Sequence, residues 1–112
     1  MRIDCFDENS VCVIRVSGRI DAKSSIELET GIKEIINNGK TNLLINMDGV
    51  DYISSSGLRV LLSTLKKLKV SKGGLKIACL KPFVMDVFRI SGFDDIFEIY
   101  DDEKKAVESF SG

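Results

Sequence analysis

Short β-rich runs alternate along this chain with segments whose apolar residues recur every three or four positions. That alternation restricts the fold more than any other feature. Arg2 to Phe6 and Val11 to Val16 read as two strands of a hairpin, separated by Asp7-Glu8-Asn9-Ser10. After Ser17-Gly18 and Arg19-Ile20-Asp21, Ser24 with Glu27 three residues on is a capping-box pattern for a helix start. Leu28, Ile32, Ile35 and Ile36 then recur at helical spacing, and Asn38-Gly39 supplies the stop. Leu43 to Met47 is a nearly continuous apolar run, as a strand covered on both faces requires. Leu58, Leu61, Leu62, Leu65 and Leu68 form a second periodic helix ending near Gly73-Gly74, with its leucines inward. Leu75 to Leu80 reads as another buried strand. Pro82 suits the first turn of a third helix, closed by Ser91-Gly92, in which Val84, Val87 and Phe88 face the core and Met85 fills a gap. Ile96 to Tyr100 is expected as a last strand. Asp102 to Phe110 is expected as a terminal helix with Ala106, Val107 and Phe110 inward.

The order is therefore ββαβαβαβα. Strands joined through helices demand right-handed crossovers, and the opening hairpin adds an antiparallel edge. The expected fold is α/β: a mixed, mostly parallel sheet of about five strands flanked by four helices. The chain shows no linker, repeat or low-complexity tract, so residues 1–112 are expected to form one domain.

Composition then narrows the chemistry. The chain contains no histidine, which removes the commonest general base and metal ligand and any Ser-His-Asp triad. An enzyme is not expected, nor a bound metal or cofactor. Sixteen basic residues against seventeen acidic ones leave a net charge of −1, with no global basic field for nucleic acid or an anionic membrane. No run approaches the about 20 apolar residues of a bilayer span. The first ten residues carry acids early and lack the apolar stretch of a secretion signal. Cys5, Cys12 and Cys79 form no CxxC pair and sit among apolar neighbours in the sequence, as buried thiols in a reducing compartment would. Cys5 and Cys12 could also face one another across the hairpin. The expected location is the cytoplasm.

One segment stands out, Asp51-Tyr52-Ile53-Ser54-Ser55-Ser56-Gly57-Leu58, placed as a loop between the central strand and the most apolar helix. Loops at strand C-termini are where α/β sheets bind ligands and partners. Serines also cap helices, because their oxygen accepts from an otherwise orphan backbone N–H; three in succession exceed what one cap needs. The segment lacks the GxxxxGK[ST] of a P-loop and the spacing of a nucleophile elbow. Tyr52 and Ile53 read as half-buried packing residues. Arg59, Ser63, Lys66 and Lys67 fall on the outer face of the following helix.

Three segments in this order resemble the STAS domain of bacterial anti-sigma factor antagonists. Gly18-Arg19-Ile20-Asp21 is similar to that family's Gly-x-[Leu/Ile]-Asp segment after the second strand. Asn46 to Ile53 resembles its central strand and approach, and Ser55-Ser56-Gly57-Leu58 its Ser-[Ser/Thr]-Gly-[Leu/Ile] signature. The likeness spans residues 1 to 110.

The resemblance implies a phosphorylation switch. The family's acceptor is the first hydroxyl residue of the signature, here Ser55. An anti-sigma factor that is itself a serine kinase supplies ATP and magnesium, and a PP2C-type phosphatase removes the mark. The unphosphorylated antagonist holds the anti-sigma factor and so frees a sigma factor. The family usually has Asp just before the acceptor; Ser54 stands there in this chain, leaving Ser54 and Ser56 as alternative acceptors. Asp21, Ser54, Ser56, Gly57 and Arg59 are the implied partner-binding residues. Asp21 reads equally as an acid placed to favour a helix N-terminus. Two other functions remain open. One is an unphosphorylated STAS regulatory subunit of a lipid-transport ABC system or signalling cassette; the other is a small nucleotide- or lipid-binding domain.

Overall fold

Asn9 and Ser10 both adopt the left-handed backbone region, at φ 51° and 68°. That makes a two-residue turn whose twist matches its flanking strands. The hairpin is therefore tighter than the four-residue connection expected: β1 (Arg2–Glu8) pairs antiparallel with β2 (Val11–Ile20), and Glu8 lies opposite Val11. The structure is a computed structural model describing residues 1–111; Gly112, the last residue of the expected domain, lies outside the described residues. The chain continues through α1 (Ala22–Asn37), β3 (Asn42–Ile53), α2 (Ser55–Val70), β4 (Gly74–Ala78) and α3 (Pro82–Ile90). A 3-10 turn (Phe93–Asp95), β5 (Ile99–Tyr100) and α4 (Glu103–Ser109) follow. The five strands lie side by side in chain order, and all pairs after the hairpin are parallel.

Successive residues of a strand face opposite sides, so the near-continuous apolar runs supply two cores. Cys12, Ile14, Val16, Leu43, Ile45, Met47, Leu75 and Ile77 face one side. They pack there against Leu28 and Ile32 of α1, Leu58, Leu61, Leu65 and Leu68 of α2, and Val84 and Phe88 of α3. Val11, Val13, Leu44 and Ala78 face the other side, where Ala106 and Val107 of α4 cover them. The helices thus divide three against one. Arg15 on β2 holds α4 in place with two hydrogen bonds to Glu103, at 2.7 and 3.0 Å, and Asn46 on β3 adds a third at 2.7 Å.

The structure corrects several boundaries. β2 and β3 run on to Ile20 and Ile53 rather than stopping near Val16 and Met47. Two register shifts, at Arg15/Ser17 and Gly18/Arg19, let β3 carry two more residues than β2 over this stretch. Gly18-Arg19-Ile20 therefore belongs to the strand rather than following it. β4 ends at Ala78, since Cys79 turns into the left-handed region at φ 63°. Ile96 to Phe97 is not strand: Gly92, at φ 75°, opens the 3-10 turn instead. Phe97 and Phe93 then turn inward onto Phe88, each with its ring centroid 6.2 Å away. The cysteines are all free, and their expected common burial fails at Cys5, which is exposed on the edge strand. Cys12 is opposite Asp7, and Cys5 is opposite Ile14. No described helix is long and apolar enough to cross a membrane.

Candidate functional site

The last rungs of the β2–β3 ladder assemble the site. Ile20 lies opposite Ile53, and the backbone N–H of Ser54 donates to the carbonyl of Ile20 at 2.8 Å. The next residue on each strand is extended and caps a helix: Asp21 for α1, Ser54 for α2. Both helices thus start side by side at the C-terminal edge of the sheet.

At Asp21 the capping box lies one turn earlier than the Ser24/Glu27 pattern suggested. The Asp21 carboxylate accepts from the backbone N–H of Ser24 at 2.9 Å, and the Ser24 hydroxyl accepts from that of Asp21 at 2.9 Å. The Ser24 hydroxyl in turn donates to the Arg19 carbonyl at 2.6 Å. Hydrogen bonds from the backbone and side chain of Ser24 hold the Asp21 carboxyl below its ordinary value, with help from the Arg19 charge. Asp21 is therefore a charged cap already engaged by its own helix.

Asp51, Tyr52 and Ile53 are strand, not loop, and the three serines form the cap and first turn of α2. Ser54 accepts from the backbone N–H of Gly57 at 3.2 Å. Ser is among the strongest capping residues, so Ser54 meets the helix's need at this end. Ser55 occupies the first helical position and is exposed; Ser56 is half-buried and Gly57 buried. Arg59 is exposed one turn beyond Ser55. One residue before Ile20 and Ile53, Arg19 lies opposite Tyr52 with its guanidinium carbon 4.2 Å from the ring centroid, a cation–π contact.

A groove of about 690 Å³ runs from the serines between α1 and α2. Ser25, Ile26 and Glu29 line it from α1, and Ser56, Arg59, Leu62 and Lys66 are among its residues from α2. Leu62 was expected in the core; it is half-buried and lines this groove instead. Ile26, outside the inward apolar stripe of α1, is 65% exposed. Its signal was an isoleucine off the inward stripe of Leu28 and Ile32.

Chemically, the site offers the exposed hydroxyl of Ser55. The chain has no histidine, and the neighbouring Asp21 carboxylate is occupied by Ser24. Among the described residues no cluster of His, Cys, Asp and Glu could hold a metal ion.

A sequence model of the STAS domain matches residues 4–106. BtrV of Bordetella bronchiseptica, named as an anti-sigma factor antagonist, is 34% identical over 95 residues, 85% of this chain and 82% of BtrV. An anti-sigma factor antagonist from Mycobacterium paratuberculosis has a crystal structure that superposes with a TM-score of 0.91 at 25% identity, covering 99% of this chain and 94% of that one. SpoIIAA of Bacillus, solved in its phosphorylated form, shares the fold with a TM-score of 0.75 at 21% identity, covering 97% and 99% of the two chains.

Proposed function

This chain belongs to the STAS-domain family, and on that footing we propose that it is an anti-sigma factor antagonist switched by phosphorylation of Ser55. The observation that carries the reading is the placement of Ser55. Its neighbour Ser54 is committed to the cap, Ser56 turns toward the groove, and Ser55 alone of the three is exposed. The phosphorylated form of its fold neighbour SpoIIAA supports the same reading.

In the proposed cycle a partner anti-sigma factor with serine kinase activity binds the unphosphorylated site, which includes Asp21, Ser54, Ser56 and Arg59; Gly57, expected to touch the partner, is buried against Ile20 and Ile53 and serves the site by packing instead. A sigma factor is released as a result. The Ser55 oxygen attacks the γ-phosphorus of the kinase's ATP, the bond to ADP breaks, and the hydroxyl proton leaves to a base on the kinase. A PP2C-type phosphatase reverses the step by hydrolysis. The whole chain, residues 1–112, acts in the cytoplasm as one binding module without catalysis or cofactor of its own.

The switch works on the interface rather than on the fold. A phosphoserine brings about −1.5 to −2 charges at neutral pH. It sits at the start of α2, a position that tolerates anions, so the domain stays folded. A partner surface shaped around a neutral hydroxyl must then desolvate a near-dianion, and binding is lost.

Incubation with the cognate kinase and ATP, followed by intact mass measurement, tests the assignment. One phosphate is expected on the native chain and on Ser54→Ala and Ser56→Ala, and none on Ser55→Ala. Phosphate that persists in Ser55→Ala moves the acceptor. A native chain that takes up none favours an unphosphorylated regulatory subunit.

A further inference from the structure

Arg59 stands four residues after Ser55, on the same exposed stripe of α2. We infer that Arg59 is an internal clamp for the phosphate on Ser55, so that phosphorylation withdraws this cation from the groove between α1 and α2. The inference rests on Ser55 being the acceptor and adds how the mark is held and transmitted.

Residues at i and i+4 of a helix are about 5–6 Å apart at Cβ, and an anion preceding a cation at this spacing is the favourable orientation. Ser55 and Arg59 meet both conditions. Arg59 makes no ion pair among the described residues, whereas Arg2, Arg15 and Arg89 each have a carboxylate partner. Arg19 is engaged by the face of Tyr52. The first turn of α2 carries no acidic residue, so no carboxylate there competes for Arg59. A guanidinium also matches a phosphate with two parallel N–H donors, which a lysine does not.

The consequence lies in the groove, which Arg59 lines together with Lys66 and the acidic Glu29. Unphosphorylated, the groove presents two cations and one anion. With Arg59 turned onto the phosphate, one cation and one anion remain facing a partner. A partner that uses an acidic group to meet Arg59 therefore loses that contact as well as meeting the phosphate.

The test installs phosphoserine at position 55 during translation, so no kinase is needed. The second ionisation of the phosphate is followed by phosphorus NMR, and the Arg59 side-chain N–H by nitrogen-15 NMR. Relative to Arg59→Gln, native Arg59 is expected to lower the phosphate's second pKa by about 0.3, the size of an i, i+4 pair. Arg59→Lys should recover part of that shift and Lys66→Gln none. The Arg59 signal should move on phosphorylation while those of Arg2 and Arg89 stay in place. Superimposable phosphate titrations for Arg59 and Arg59→Gln, with an unmoved Arg59 signal, would overturn the clamp. Failure of the kinase to modify Ser55 would instead overturn the assignment of the acceptor, which the translated phosphoserine leaves separate.

Discussion

Gly57 of α2 packs directly on Ile20 of β2: a Cβ at this glycine would lie 2.6 Å from Ile20 Cγ2 and 2.8 Å from Ile53 Cγ1. The start of α2 therefore rests on the last residues of both central strands. The glycine of the Ser-Ser-Gly signature has a packing role independent of any partner.

Gly57→Ala measures that contact. Alanine in a helix interior gains about 1 kcal/mol over glycine, while overpacking costs about 1–3 kcal/mol. The clash falls on two buried β-branched side chains with little room to turn, so the expected result is a net loss of about 1–2 kcal/mol. Urea denaturation reads it directly, and an alanine variant as stable as the native chain would refute it.

Ser54 is expected to behave as a cap before anything else. Ser54→Ala should lose about 1 kcal/mol of unfolding free energy, and Ser54→Asp should hold stability within about 0.5 kcal/mol of native. Ser55→Ala, at an exposed first helical position, should change stability by under about 0.5 kcal/mol. Equal losses from Ser54→Ala and Ser54→Asp would show that the capping bond contributes nothing.

The link between α4 and the sheet predicts an acid limb in stability. Hydrogen bonds from Arg15 hold the Glu103 carboxyl below its ordinary value against burial, and Asn46 adds to the effect. Because the folded pKa is depressed, the unfolded chain takes up the proton first. Glu103 therefore stabilises the fold fully above the unfolded value of about 4.3, and this is lost as pH falls through the lower folded value. Urea midpoints taken from about pH 6 to pH 3 should fall, and Glu103→Gln should make that fall shallower. An identical slope in the variant would assign the acid limb to other carboxylates.

The hairpin cysteines should differ sharply in reactivity. Cys5 is exposed, whereas Cys12 is buried and its thiol is pushed up to about 11, chiefly by burial. At pH 8 about one Cys12 in a thousand would be thiolate, so a disulfide reagent should modify Cys5 first. Cys12 should react only on unfolding. A fast phase that survives in the double variant Cys5→Ser, Cys79→Ser, where Cys12 is the remaining thiol, would contradict the assignment.

Much of the architecture was legible because strands and helices have different apolar periods. The leucine rows of α2 and the apolar runs at Leu43–Met47 and Leu75–Leu80 led to the order of elements along the chain without reference to distant contacts. The site was legible as a place and misread in detail. Asp48, Gly49 and Asp51 interrupt the apolar pattern of β3, so its second half looked like loop. Those residues are carried by the register shifts against β2, which show only when the two strands are paired. The same extension moved the α1 cap from Ser24 back to Asp21.

The sequence by itself determined the order of elements and the parallel topology, because apolar periodicity and right-handed connections depend on local spacing. It also placed three serines at the start of α2. Only the tertiary structure decided where the strands stop, which serine caps the helix and which is exposed. Those outcomes depend on the hydrogen bond from Ser54 to Ile20 and the packing of Gly57 on the strand ends. Ile20 lies more than thirty residues before both Ser54 and Gly57, beyond the reach of any local pattern.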